Sequence, residues 1–141
     1  MARPAIYAVL LRLVLGGVFL WAGATKIPDP ALFAQTIRSY EALPLPVVHP
    51  AAIALPWVEA LVGLLLIAGV WVRSSAWVAL LLLFAFVAAL SVGIYIKGNF
   101  DCGCFGPGGA GGSAVSALVK DAVLIGCAIL LLRLRQASGA K

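Results

Sequence analysis

The sequence predicts an all-α integral membrane protein: a four-transmembrane-helix bundle with a short amphipathic helix between helices 1 and 2. Three observations carry this. Of the 141 residues, 64% are hydrophobic and only 11% are charged, and the mean hydropathy is +1.13. A soluble domain of this size could not bury so much apolar surface. Four stretches also reach the roughly 20 apolar residues that a helix needs to cross a bilayer. Finally, Trp21, Trp57, Trp71 and Trp77, with Tyr7 and Tyr95, fall near the ends of those stretches, where amphipathic rings sit at headgroup level. The expected organisation is one transmembrane domain over residues 1–141. Its spans lie at about 4–25, 51–72, 74–97 and 114–134, with a cysteine- and glycine-rich outer loop at 98–113.

The first span runs from Pro4 to Thr25 with one charge, Arg12, which can snorkel to the nearer surface. It has basic residues and a small-residue stretch at Ala22-Gly23-Ala24, as a signal peptide would. The length of the apolar run and the place of Trp21 favour a retained span. Next comes "PDPALFAQTIRSYEALPLP". Asp29 can cap a helix that starts at Pro30. Phe33, Ile37 and Tyr40 then share a face, and Leu43-Pro44-Leu45-Pro46 stops the helix. Such a helix lies on the membrane or folds over the mouth of the bundle.

The second span, 51–72, carries one charge, Glu59, just after Pro56-Trp57. The third is the clearest: Ser74 to Ile96 is 23 residues without a charge, closed by Lys97. Its Ala85, Ala89 and Gly93 recur every four residues, a stripe that would let another helix approach. The fourth span opens with Lys120 and Asp121 near its start and ends near Arg133.

The net charge of +5 does not predict a nucleic-acid partner, because basic residues in a membrane chain first report orientation. With the N-terminus inside, Arg3, Arg12, Arg73, Arg133, Arg135 and Lys141 fall on the inner side. Lys26, Arg38, Lys97 and Lys120 fall on the outer side. The expectation is an N-in/C-in, multi-pass protein of a bacterial-type cytoplasmic (inner) membrane. Its cysteine loop then faces an oxidising compartment, where a disulfide can persist.

This topology gathers Lys26, Glu59, Lys97, Lys120 and Asp121 beneath that loop. Glu59 stands out, since an ionisable group inside a span is costly and usually has a partner and a function. Its two readings are a proton-handling group and a structural ion pair with Lys26 or Lys97. His49 is a lone surface histidine and is given no role. Cys127, deep in the fourth span, reads as a small hydrophobe.

The loop holds "FDCGCFG". Cys102 and Cys104 flank Gly103, whose freedom allows the tight bend that a bridge between such near neighbours requires. A ring this small closes almost no loop and makes a poor structural staple, and its strain makes it easy to exchange. Two chemistries remain. A dithiol/disulfide pair needs an attacking thiolate, which Lys97 and Lys120 would favour and Asp101 would oppose. A pair of thiolates could instead bind soft Cu(I) or Hg(II), whereas zinc would want four ligands. The spacing alone leaves both open.

Several stretches together resemble a known family. They are "AGATKIPDPALFAQTIRSYEALP", "LPWVEALVGLLLIAG", "DCGCFG" and "VKDAVL", in that order over nearly the whole chain. The chain resembles the DoxX-like membrane proteins, and within them the MauE (methylamine utilisation) branch. Lys120 departs from the arginine more usual there. The resemblance implies a four-helix bundle and a role in maturing disulfide-containing proteins beside a periplasmic thioredoxin-like partner. It implies that Cys102 and Cys104 are the exchange pair, with Glu59 and Lys26 near it.

The expected function is therefore membrane-embedded thiol-disulfide redox chemistry, with electrons or disulfides passing to an outer-side thioredoxin-fold protein. Cys102, Cys104 and Glu59 would act, supported by Gly103, Lys26, Lys97, Asp101, Lys120 and Asp121. A quinone between the helices could be an electron acceptor, although no residue specifies one, and no resident metal is expected. The alternatives are a soft-metal carrier using the same thiols, or a non-catalytic membrane assembly factor.

Overall fold

A computed structural model describes residues 3–39, 41, 43–98 and 112–139. Its helices are α1 (Arg3–Lys26), α2 (Pro30–Ser39), α3 (Leu45–Ala68), α4 (Val72–Lys97) and α5 (Ala114–Gly139). All but α2 are long and apolar enough to cross a membrane. The main contacts run from α1 to α3, α3 to α4, α4 to α5 and α5 back to α1, so neighbours in the ring run in opposite directions. The shared core draws Leu15 and Phe19 from α1, Leu66 from α3, Leu83 from α4, and Ala128 and Leu131 from α5. Outside, the rings of Trp21, Trp57, Trp71, Trp77, Tyr7 and Tyr95 all point away from the bundle, as lipid- and headgroup-facing residues do.

Local chemistry sets the helix ends. The Leu32 amide donates to Asp29 Oδ1 at 3.0 Å, so α2 starts at the expected cap. It buries Phe33, Ala34 and Ile37 against Val48 and Ala52 of α3. The helix is thus folded onto the bundle, and Tyr40 lies outside the described residues. Where the apolar run of the second span begins at residue 51, α3 begins at Leu45, with proline in its first turn. There the missing amide costs nothing, because first-turn amides lack intrahelical partners. It ends at Ala68, before the run does, because Gly69 takes a left-handed φ of 78°. The early start leaves Trp57 midway along α3 instead of near its end. The Arg12 guanidinium packs at Gly69, where a Cβ would lie 2.6 Å from Nη1. That puts a cation at the carbonyl end of α3, where the helix dipole favours it. At α5, the Ser116 amide donates to Ser113 Oγ at 3.4 Å, which caps the helix.

Glycine brings α1 and α3 into close contact. A Cβ on Gly63 would lie 2.5 Å from the Leu20 nitrogen, and one on Gly23 would lie 2.6 Å from the Pro56 carbonyl oxygen. Gly16 meets Gly63 in the same way, at 2.8 Å from its carbonyl oxygen. Backbone therefore packs on backbone along this seam, as small residues permit in membranes. The stripe on α4 behaves differently. Gly93 is buried, but Ala85 is exposed, and Ala85 and Ala89 line an apolar groove of about 280 Å³ beside Ile37 and Leu55.

The seam predicts a contrast between glycines. Gly63→Leu forces the two backbones apart and should cost about 1–3 kcal/mol, as overpacking does. Gly126→Ala, at a site with nothing within 4 Å of the new Cβ, should leave stability unchanged or raise it by up to about 1 kcal/mol. Thermal unfolding of the detergent-solubilised protein checks both.

Candidate functional site

The α1–α3 seam fixes what happens at the end of α1. With Gly23 pressed on Pro56 and Ala60, the next turn of α1 carries Lys26 to the level of Glu59. The ammonium donates to both carboxylate oxygens, at 3.3 Å to Oε1 and 3.1 Å to Oε2. Lys26 is 6% exposed and Glu59 is 1% exposed. Two aromatic rings close over the lysine: Phe33 of α2 at 4.9 Å and Phe86 of α4 at 5.1 Å from ring centre to Nζ. Both lie within cation–π range. One buried ammonium thus touches side chains from α2, α3 and α4.

This pair is not at the rim of the bundle. At about 1.5 Å per residue, Glu59 lies roughly 21 Å along α3, and Phe86 roughly 16 Å short of the end of α4. Above that layer α1 has already ended, and α2 stands in for it against α3. The sequence placed Glu59 in the first turns of its span. The early start of α3 puts it in the second half of the helix instead.

Beside the pair is a cavity of about 40 Å³ lined by Lys26, Glu59 and Asp121, with Phe19, Leu83, Phe86 and Leu124 among its apolar walls. That volume exceeds the roughly 10–15 Å³ needed to hold one water. Val18 and Leu124 border this cavity and also a wider, apolar groove of about 440 Å³ between α1 and α5. Lys120 and Trp21 lie along that groove.

The remaining candidates are placed as follows. Lys97 pairs with Glu41 at 3.1 Å on the surface, both side chains being substantially exposed, and does not join the cavity. Lys120 is exposed on α5, one residue from Asp121 but outside the cavity. His49 is exposed on α3. Cys127 is a half-buried free thiol on α5. Asp101, Cys102, Gly103 and Cys104 lie outside the described residues. Among the described residues, no group of three or more His, Cys, Asp or Glu side chains could hold a metal ion. Nothing in the sequence singles out Phe33 and Phe86 as partners of Lys26. Phe33 was legible as a face residue of α2, but Phe86 looks like any other apolar residue of its span.

Comparisons with known proteins bear on this chain as a whole. The family model described as methylamine utilisation protein MauE matches residues 4–134. A methylamine utilization protein MauE from Paracoccus denitrificans is 33% identical over 97 residues, covering 67% of this chain and 52% of the relative. The chain spans about half the length of that curated relative. No solved structure matches.

The buried pair predicts strong coupling between its two members. Glu59→Leu leaves Lys26 without its carboxylate in an apolar layer and should cost about 3–5 kcal/mol. The double variant Lys26→Met/Glu59→Leu should recover most of that loss, because neither charge is then stranded. Separating the exposed Lys97–Glu41 pair should cost no more than about 1 kcal/mol. Denaturant unfolding in detergent, run as a double-mutant cycle for each pair, measures all three.

Proposed function

Since the chain belongs to the MauE family of methylamine utilisation proteins, we propose that it is a membrane thiol-disulfide redox protein acting through Cys102 and Cys104. The observation that carries this reading is the polar cavity of Lys26, Glu59 and Asp121 inside an otherwise apolar bundle. It lies toward the end where α4 stops and α5 starts, the two helices that the C-G-C segment joins. Ionisable groups at such depth are costly, and membrane proteins keep them chiefly for function. On the sequence stretches quoted for the resemblance, the family belongs with the DoxX-like membrane proteins, and residues 1–141 form one transmembrane domain.

The chemistry balances without a cofactor. A thiolate on a thioredoxin-fold partner attacks one sulfur of the Cys102–Cys104 disulfide. A mixed disulfide forms, and the other loop sulfur leaves as thiolate. The partner's second thiol then displaces the loop, so the partner disulfide forms as the loop disulfide is lost. Two electrons pass from partner to loop, and the reverse sequence passes them back. A second exchange with a different partner resets the pair. Each exchange consumes one thiolate and releases another, and the accompanying proton is exchanged at the cavity, where Glu59 holds the Lys26 ammonium beside the Asp121 carboxyl. A cavity of about 40 Å³ is far below the roughly 300 Å³ at which small-molecule pockets begin, so no quinone step is assigned to it.

Under the same proposal the protein lies in a bacterial-type inner membrane. Its first and last helices start and finish on the inner side, and the thiol pair faces the periplasm. The partner is a periplasmic thioredoxin-fold protein, and the role is maturation of disulfide-containing proteins in methylamine utilisation.

Trapping tests the reading. Either Cys102→Ser or Cys104→Ser should accumulate a reductant-sensitive adduct with a thioredoxin-fold protein in native membranes. The Cys102→Ser/Cys104→Ser double variant should show none. Absence of an adduct from both single variants overturns the exchange mechanism. Stoichiometric Cu(I) binding lost in Cys102→Ser, without any adduct, would point to the soft-metal carrier instead.

A further inference from the structure

The cavity holds one cation and two carboxyls. Lys26 engages both oxygens of Glu59. Among the described residues, the Asp121 side chain makes no hydrogen bond and no ion pair. If both acids were ionised, the layer would carry a net negative charge beside Phe19, Leu83, Phe86 and Leu124, with Glu59 buried and Asp121 half-buried. An uncompensated charge in such surroundings is strongly disfavoured. One bound proton removes it. A proton on Glu59 would break a bidentate contact and strand the buried ammonium of Lys26. A proton on Asp121 disturbs no bond among the described residues.

We propose that Asp121 is a proton-binding residue: it takes up and releases a proton through water in the cavity, while Lys26 and Glu59 stay charged. Among the described residues, the groups facing it are few. α1 contributes Lys26 and α3 contributes Glu59, while α4 contributes only apolar side chains. Lys120, next to it on α5, faces the outer groove and not the cavity. Val18 and Leu124 line both the cavity and the α1–α5 groove. Within the thiol-exchange reading, on which this use of the proton rests, Asp121 supplies the proton that a released loop thiolate takes up. It recovers that proton when the thiolate is needed again. The reaction conserves the proton and uses no other reactant.

Infrared difference spectroscopy of the purified protein in lipid nanodiscs, with the pH stepped, reads carboxyl protonation directly. The expected result is a protonated-carboxyl C=O band that titrates in the native chain, is lost in Asp121→Asn and shifts in frequency in Asp121→Glu. The same band should persist in Cys102→Ser/Cys104→Ser. No titrating band in the native chain, or one untouched by both Asp121 variants, overturns the proposal. If Asp121→Asn does not fold, the shift in Asp121→Glu decides alone. Failure of cysteine trapping with the band intact would remove the thiol reading and leave the proton site standing. Trapping without the band would do the opposite.

Discussion

A lysine ammonium buried with a glutamate between apolar helices constrains everything around it. Lys26 can stay charged there only if Glu59 meets it closely, at 3.1 and 3.3 Å, because either ion alone would be far from water. Meeting closely requires α1 and α3 to run almost in backbone contact, which Gly16, Gly23 and Gly63 allow. It also requires cover from above, where α1 has ended. The α2 helix gives that cover with Phe33, and Phe86 of α4 closes the side. The ion pair thus explains why a ten-residue amphipathic helix is folded onto the bundle. A buried pair of this kind adds little net stability compared with apolar residues of equal size. Its worth to the fold lies in register: sliding α1 along α3 by one turn would strand both charges.

The same layer gives the bundle a polar interior with three ionisable groups. Asp121 brings a second carboxyl to a space large enough for water, whose other walls are apolar. An apolar bundle needs no such feature to be stable, and a carboxyl without a cation of its own makes the layer less stable. Ionisable groups kept inside a span are by default functional candidates. Lys97 and Glu41 show the contrast. Their pair is equally short, but water reaches both side chains, so their attraction is screened and their removal matters little.

Much of the fold was legible in the sequence. Hydropathy located all four spanning helices, because length and apolarity alone decide which segments cross a bilayer. Asp29-Pro30 announced the start of α2, since a cap is a local hydrogen bond between near neighbours. Helix ends that depend on special backbone were less clear. Pro44 to Pro46 read as a stop for α2, and they also open α3, because proline is welcome in a first turn. That start moved Glu59 from the first turns of its span into its second half.

The candidate site divides in the same way. The sequence by itself determined that Lys26, Glu59 and Asp121 are ionisable groups within or at the end of apolar spans, and that alternating helix directions bring them toward one end. Tertiary structure decided which of them meet. Lys26 and Lys97 were equal candidates to pair with Glu59, since composition carries no information about depth. Backbone contact at three glycines set the depth of α1 against α3 and chose Lys26. The length of α4 beyond Phe86 carried Lys97 to the surface. Pairing across helices depends on relative axial position, and that is fixed only by how the helices pack.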